Sequence, residues 1–257
     1  MEQLESTRSI TTELEVTIAA PPRPLNSLHS RLERSGLCCV YVFTTMRFRE
    51  NIALSEFSHY KIGGRARFFF EPKNEKEITW AVGEAKAQKL PIFVLGGGTN
   101  LLLSDDGFDG LVIKPNLTIL RSQGTRIEAG AGVPMAKLLT YAMGKSLSGL
   151  EWAGGLPGTL GGAIRGNAGC FGGEIKDVVA SVRSFDIKKM RFVTRNAKAC
   201  AFGYRDSIFK SNKQWIILSA TLEMEAGDPA LSELIPPQKK RRGLEPRRSE
   251  SARSLAA

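Results

Sequence analysis

Two glycine-rich segments with almost no charge constrain this chain more than any other feature. The first is Gly96-Gly97-Gly98-Thr99-Asn100-Leu101-Leu102, entered from the apolar run Pro91-Ile92-Phe93-Val94-Leu95. The second runs from Gly154 to Ala163 as Gly-Gly-Leu-Pro-Gly-Thr-Leu-Gly-Gly-Ala and continues through Asn167-Ala168-Gly169. Positions without side chains, at such density, let backbone N–H groups cluster and approach a ligand closely, which is how a pyrophosphate can be held without a lysine. Two such segments point to one long dinucleotide gripped from two sides. A single glycine triplet after a strand is more often a tight turn. The segment also lacks the Lys-Ser/Thr ending of a P-loop and the GxGxxG spacing of a Rossmann turn. The residues alone therefore imply a phosphate or dinucleotide cradle of neither common kind.

The rest of the chain excludes several function classes. Its 257 residues are 42% hydrophobic and 24% charged, an ordinary globular composition for one large or two small domains. No apolar run approaches the roughly 20 residues of a membrane span, so no membrane partner is expected. Cys38, Cys39, Cys170 and Cys200, with His29 and His59, show no metal-ligand spacing and no disulfide density. A reducing cytoplasm and no bound metal are the expectations. The formal net charge is +10, but Lys239, Lys240, Arg241, Arg242, Arg247, Arg248 and Arg253 against Glu245 and Glu250 place half of that excess near the C-terminus. Such a block is usually solvated and binds nucleic acid weakly and without selectivity, so a dedicated nucleic-acid partner is not expected.

Periodicity divides the chain. Residues 1–45, interrupted by Pro21-Pro22-Arg23-Pro24, read as a poorly ordered extension, with Met46 as an alternative start. Arg65–Phe70 reads as a strand. Asn74 can cap a helix with Ile78, Ala81, Val82 and Ala85 on one face. Ile92–Leu95 and Leu111–Ile113 read as buried strands, and Arg126–Ala129 as an alternating one. Pro134 opens a helix with Met135, Leu138, Leu139 and Met143 inward, closed by Gly144 or Gly149. Val178–Asp186, Arg191–Thr194 and Trp215–Met224 alternate like a half-buried antiparallel sheet. The expected fold class is α+β in two lobes, 46–115 and 116–228, with the glycine segments facing each other and a basic disordered tail over 229–257.

The order of motifs resembles the UDP-N-acetylenolpyruvoylglucosamine reductases (UDP-N-acetylmuramate dehydrogenases). The matching pieces are His59-Tyr60-Lys61-Ile62-Gly63-Gly64, Leu95 to Leu102, Gly149-Leu150-Glu151-Trp152, Leu156 to Ala163, Asn167-Ala168-Gly169 and Phe202 to Lys210. The resemblance covers about residues 50–228. It implies a two-lobed FAD-binding domain of the vanillyl-alcohol-oxidase (PCMH) type, NADPH as reductant, a UDP-sugar substrate and a monomer. Gly96, Gly97, Gly98, Thr99 and Asn100 match the segment that cradles the FAD pyrophosphate. Pro157, Gly158, Thr159, Gly161, Gly162, Asn167 and Gly169 match the second cofactor-binding segment. Tyr204 matches a substrate-binding position and Arg205 a catalytic one, beside the isoalloxazine. An arginine suits the negative charge that builds on the substrate carboxylate during hydride transfer, because it is always protonated and donates as a fork. The family's proton-donating serine and a late glutamate belong to a further substrate-binding domain. Neither motif follows Pro229, so the expectation is a chain without that domain, impaired in turnover or binding FAD without independent activity.

Overall fold

The computed structural model describes residues 46–227. The expectations for 1–45 and for the basic tail, with Cys38, Cys39 and His29, lie outside the described residues.

Strand β1 (Arg49–Ala53) leads through a 3-10 turn into β2 (Arg65–Phe70), whose alternation buries Ala66 and Phe69 completely. Asn74 then caps α1 (Glu75–Ala87) by accepting the Glu77 N–H at 3.0 Å, and the Glu77 carboxylate accepts the Lys73 N–H at 2.7 Å. The buried face of α1 is Ile78, Ala81, Val82 and Ala85, the face read from the spacing. Strands β3 (Ile92–Val94) and β4 (Phe108–Ile113) complete a four-stranded sheet of order β1-β2-β4-β3. β4 pairs in parallel with both β2 and β3, while β1 runs antiparallel to β2. β3 is only half-buried because it lies at the sheet edge; full burial begins one residue later, at Leu95.

The second sheet starts with β5 (Leu120–Gln123) and β6 (Arg126–Gly130). It is followed by α2 (Met135–Met143), which begins after Pro134 and ends at Gly144. Met135, Leu138 and Leu139 of α2 are buried as expected, Ala142 is buried with them, and Met143 is half-buried against the same core. After β7 (Leu147–Ser148), α3 (Leu160–Arg165) forms inside the second glycine segment, where the sequence reads as loop throughout. Short strands β8 (Gly169–Cys170) and β9 (Gly173–Glu174) precede β10 (Val179–Asp186) and β11 (Arg191–Asn196). The one-turn α4 (Ile208–Ser211), β12 (Trp215–Glu223) and β13 (Glu225–Ala226) end the described body. The five-stranded sheet, β11-β10-β12-β6-β5, is antiparallel throughout.

One helix joins the two sheets. The apolar face of α1 meets Leu111 and Ile113 of the first sheet and Phe185, Ile216 and Leu218 of the second in a single core. Glu75 at its start accepts two bonds from the Arg183 guanidinium, at 2.5 and 3.0 Å. Helices α2 and α3 cover the other side of the second sheet, with Leu138, Leu160 and Ile164 against Ile127, Val182 and Leu222. Cys200 is fully buried in that core, and desolvation pushes its thiol up to about 11. Phe185, fully buried between α1 and the sheet, is expected to cost about 3–5 kcal/mol of stability on truncation to alanine, read as a lower urea midpoint with unchanged slope.

Candidate functional site: two facing glycine segments and a strained Tyr-Arg turn

Beyond β3 the chain leaves the sheet at Leu95, whose N–H still donates to Ile113 O at 2.8 Å. The N–H groups of the next five residues, Gly96, Gly97, Gly98, Thr99 and Asn100, find no protein acceptor among the described residues. Two of these glycines are demanded by the protein itself. Gly98 has φ +65°, and a Cβ there would stand 1.9 Å from Phe57 O, while its own carbonyl accepts the His59 N–H at 2.9 Å. A Cβ on Gly97 would stand 2.7 Å from Gly158 Cα. The two glycine segments therefore touch backbone to backbone at this point, as facing segments should. Asn100 is exposed, and Thr99 leans on Gly158.

The second segment is held from behind. Gly158 O accepts the Met135 N–H at 3.0 Å, and the Leu160 and Gly161 N–H groups donate to Val133 O and Ala131 O, each at 2.9 Å. A Cβ on Gly161 would lie 2.9 Å from Ala131 Cβ, so its glycine serves the packing of α3 against the chain just after β6. Gly162 is different. It is exposed, and a Cβ there would meet nothing closer than Thr159 Oγ1 at 3.7 Å. The N–H groups of Gly158, Thr159 and Gly162 also lack acceptors among the described residues. Pro157 is exposed beside them. Eight backbone N–H groups without a protein acceptor among the described residues thus lie on two touching segments, and neither Gly96–Leu102 nor Gly154–Ala163 carries a lysine or arginine. Such an array suits an anion with many acceptor oxygens, and a dinucleotide diphosphate fits it.

Further along, the fully buried Asn167 takes φ +40°. Its Nδ2 donates to Gly203 O at 2.8 Å and to Glu174 Oε2 at 3.3 Å, and its Oδ1 accepts the Lys176 N–H at 3.2 Å. Gly169 is buried in β8, where a Cβ would lie 2.6 Å from Gly173 O. Gly203 and Asp206 exchange backbone hydrogen bonds at 3.0 and 3.2 Å, closing a tight turn with Tyr204 and Arg205 at its tip. Tyr204 is 88% exposed, and Arg205 takes φ +54° in the third turn position, where glycine or asparagine is the relaxed choice. The Lys210 ammonium donates to Arg205 O at 2.6 Å. Ser207 is buried, donates to Arg165 O at 2.8 Å and caps α4 by accepting the Phe209 N–H at 3.3 Å.

The Lys176 ammonium, hydrogen-bonded to Glu174, holds that carboxyl below its ordinary range, with the Asn167 amide and the Arg205 charge acting in the same direction. Arg205 itself has no ion pair among the described residues. Sequence reasoning missed the ties that aim this turn, Asn167 to Gly203 and Lys210 to Arg205, because neither has a spacing signature. It also missed Ser58, buried beside Gly98 with its hydroxyl unpartnered; the adjoining His59–Gly64 motif was the only signal. Among the described residues no group of His, Cys, Asp and Glu could hold a metal, and no helix is long and apolar enough to cross a membrane.

A family model described as an FAD binding domain matches residues 66–189. A solvent-stable cholesterol oxidase shares the architecture, with a TM-score of 0.53 over 70% of this chain and 38% of the other, at 16% identity. The chain thus carries a two-lobed FAD-binding domain of the vanillyl-alcohol-oxidase (PCMH) type. The UDP-N-acetylenolpyruvoylglucosamine reductase of Solibacter usitatus is 41% identical over 175 residues, covering 68% of this chain and 55% of that relative. A crystal structure of the UDP-N-acetylenolpyruvylglucosamine reductase from Thermus caldophilus superposes with a TM-score of 0.61 at 27% identity, covering 73% of this chain and 66% of the other. Over this shared region the chain belongs to the UDP-N-acetylenolpyruvoylglucosamine reductase family, as its motifs imply. It spans just over half the length of the curated relative from Solibacter.

The contrast between Gly98 and Gly162 separates folding from binding. Gly98→Ala should destabilise the protein without ligand by at least about 2 kcal/mol, from left-handed strain and collision with Phe57 O. Gly162→Ala should leave it as stable or raise stability by up to about 1 kcal/mol, since alanine favours helix, yet weaken FAD by placing a methyl over the free donors. Thermal melts paired with FAD titration read both effects, and unaltered FAD affinity in Gly162→Ala would remove that position from the cradle.

Proposed function

We propose that this chain takes part in the FAD-dependent, NADPH-linked reduction of UDP-N-acetylglucosamine enolpyruvate to UDP-N-acetylmuramate, in peptidoglycan precursor synthesis. What supports this reading is the presence of eight backbone N–H groups without protein acceptors on the two sides of the Gly97–Gly158 contact, with the Arg205 turn tied to the second of the two segments. Bound FAD supplies a hydride carrier between NADPH and the enolpyruvyl double bond. The donors of Gly96–Asn100 and of Gly158, Thr159 and Gly162 hold its diphosphate. Tyr204 offers an exposed ring to the substrate. Arg205 faces the substrate carboxylate, where negative charge builds as the adjacent double bond accepts hydride. Its guanidinium stays protonated through that step, so stabilisation requires no proton movement. The proton delivered to the substrate α-carbon comes from a group other than Ser207, whose hydroxyl is engaged with Arg165 O.

Anaerobic stopped-flow absorbance tests this directly. The purified chain, loaded with FAD, should be bleached by NADPH and recolour on addition of UDP-N-acetylglucosamine enolpyruvate. Arg205→Ala should slow recolouring by about 10²-fold, the usual cost of a lost charge-stabilising donor, and leave bleaching unaltered. Recolouring that proceeds equally well in Arg205→Ala would remove the assigned role. Bleaching with no recolouring in the parent would select the narrower reading, an FAD-binding chain without independent turnover. Failure to take up FAD at all would defeat both.

A further inference from the structure

We infer that Asn167 is a positioning residue, whose carboxamide fixes the Arg205 guanidinium relative to the second glycine segment. This rests on the role proposed above for Arg205. The backbone of Asn167 accounts for little of what the residue does. Its φ of +40° suits glycine as well as asparagine, so the conformation admits a carboxamide without requiring one. That carboxamide uses both donors and its acceptor, on Gly203 O, Glu174 Oε2 and the Lys176 N–H. It joins three pieces of chain: the end of the second glycine segment, the β9 hairpin and the turn that presents Tyr204 and Arg205.

Gly203 O is the first carbonyl of that turn and accepts both the Asp206 N–H and Asn167 Nδ2. The turn is therefore seated on the glycine segment through Asn167, at full burial, while its tip stays exposed. Arg205 is the residue that needs such seating. An L-residue at φ +54° is strained, and strain persists only where the surroundings fix it. Glycine or asparagine would relax the turn, so an arginine there is kept for its side chain. Released from Asn167, the turn would place the guanidinium over a range of positions, and a charge that must meet a developing carboxylate loses its effect when displaced by about 1 Å.

Two substitutions isolate the carboxamide. Asn167→Gly keeps the backbone conformation, and Asn167→Asp keeps the size but, once ionised, has no donor for Gly203 O. In the chain without cofactor, ¹⁵N relaxation should report rigid Tyr204 and Arg205 amides in the parent. Both variants should drop them below an order parameter of about 0.6, with the β12 amides unaltered. Rigid Tyr204 and Arg205 amides in Asn167→Gly would overturn the inference. With FAD bound, UDP-N-acetylglucosamine enolpyruvate is titrated by the change in flavin absorbance. Asn167→Gly should bind this substrate about tenfold more weakly, the scale of one lost buried hydrogen bond. Asn167→Gly combined with Arg205→Ala should bind no more weakly than Arg205→Ala alone, because Asn167 acts through Arg205. Losses that multiply, or a loss of FAD affinity in place of substrate affinity, would also overturn it. If the parent takes up no FAD, the proposed function fails, and the relaxation data on the free chain decide the role of Asn167 separately.

Discussion

The contact between Gly97 and Gly158 is the constraint on which the site depends. A Cβ on Gly97 would lie 2.7 Å from Gly158 Cα, so two backbones meet where most proteins place a side chain. That closeness sets two runs of unpartnered N–H groups, one from each segment, beside one another. Several kinds of glycine are mixed along these segments. Gly98 and Gly161 relieve collisions inside the protein, Gly97 makes the contact between segments, and Gly162 leaves space that nothing in the described chain fills. A count of glycines overstates how many serve the ligand directly, and the open Gly162 can be altered with little disturbance to the fold.

The remainder of the molecule keeps that contact in place. Helix α1 is buried on one face by both sheets, so the sheet that feeds the first segment and the sheet that supports the second share one core. The bidentate Arg183–Glu75 pair adds a polar tie between the same elements; it is half exposed, so apolar burial is the larger stabilising term. The second segment is further pinned by backbone bonds to Ala131, Val133 and Met135. With its apolar side and its hydrogen bonds turned inward, the segment has only its free donors left to present outward.

Arg205 shows the complementary arrangement. Its guanidinium is exposed and has no ion pair among the described residues, while its backbone is held by the Gly203–Asp206 bonds and by Lys210. A strained backbone beneath a free charged side chain is the pattern of a residue kept for function and not for stability. Ser207, two positions on, has the opposite character, with its hydroxyl spent on a carbonyl and a helix cap.

Local pattern was enough to locate most of the fold. The apolar face of α1 with its Asn74 cap, the β2 alternation and the long strands β10 and β12 were legible because period and capping chemistry are properties of neighbouring residues. The glycine segments and the Tyr204–Arg205 pair were legible as motifs. Other features had no local signature. β1 and β5 exist through their pairing with β2 and β6, and α3 forms among glycines because its first N–H groups find acceptors at Val133 and Ala131, remote in sequence. The separate jobs of the glycines and the tie from Asn167 to the Arg205 turn were likewise decided only in three dimensions. Whether a missing Cβ serves a ligand or a neighbouring strand depends on which backbone lies across from it, and that is set by how the two sheets close on α1.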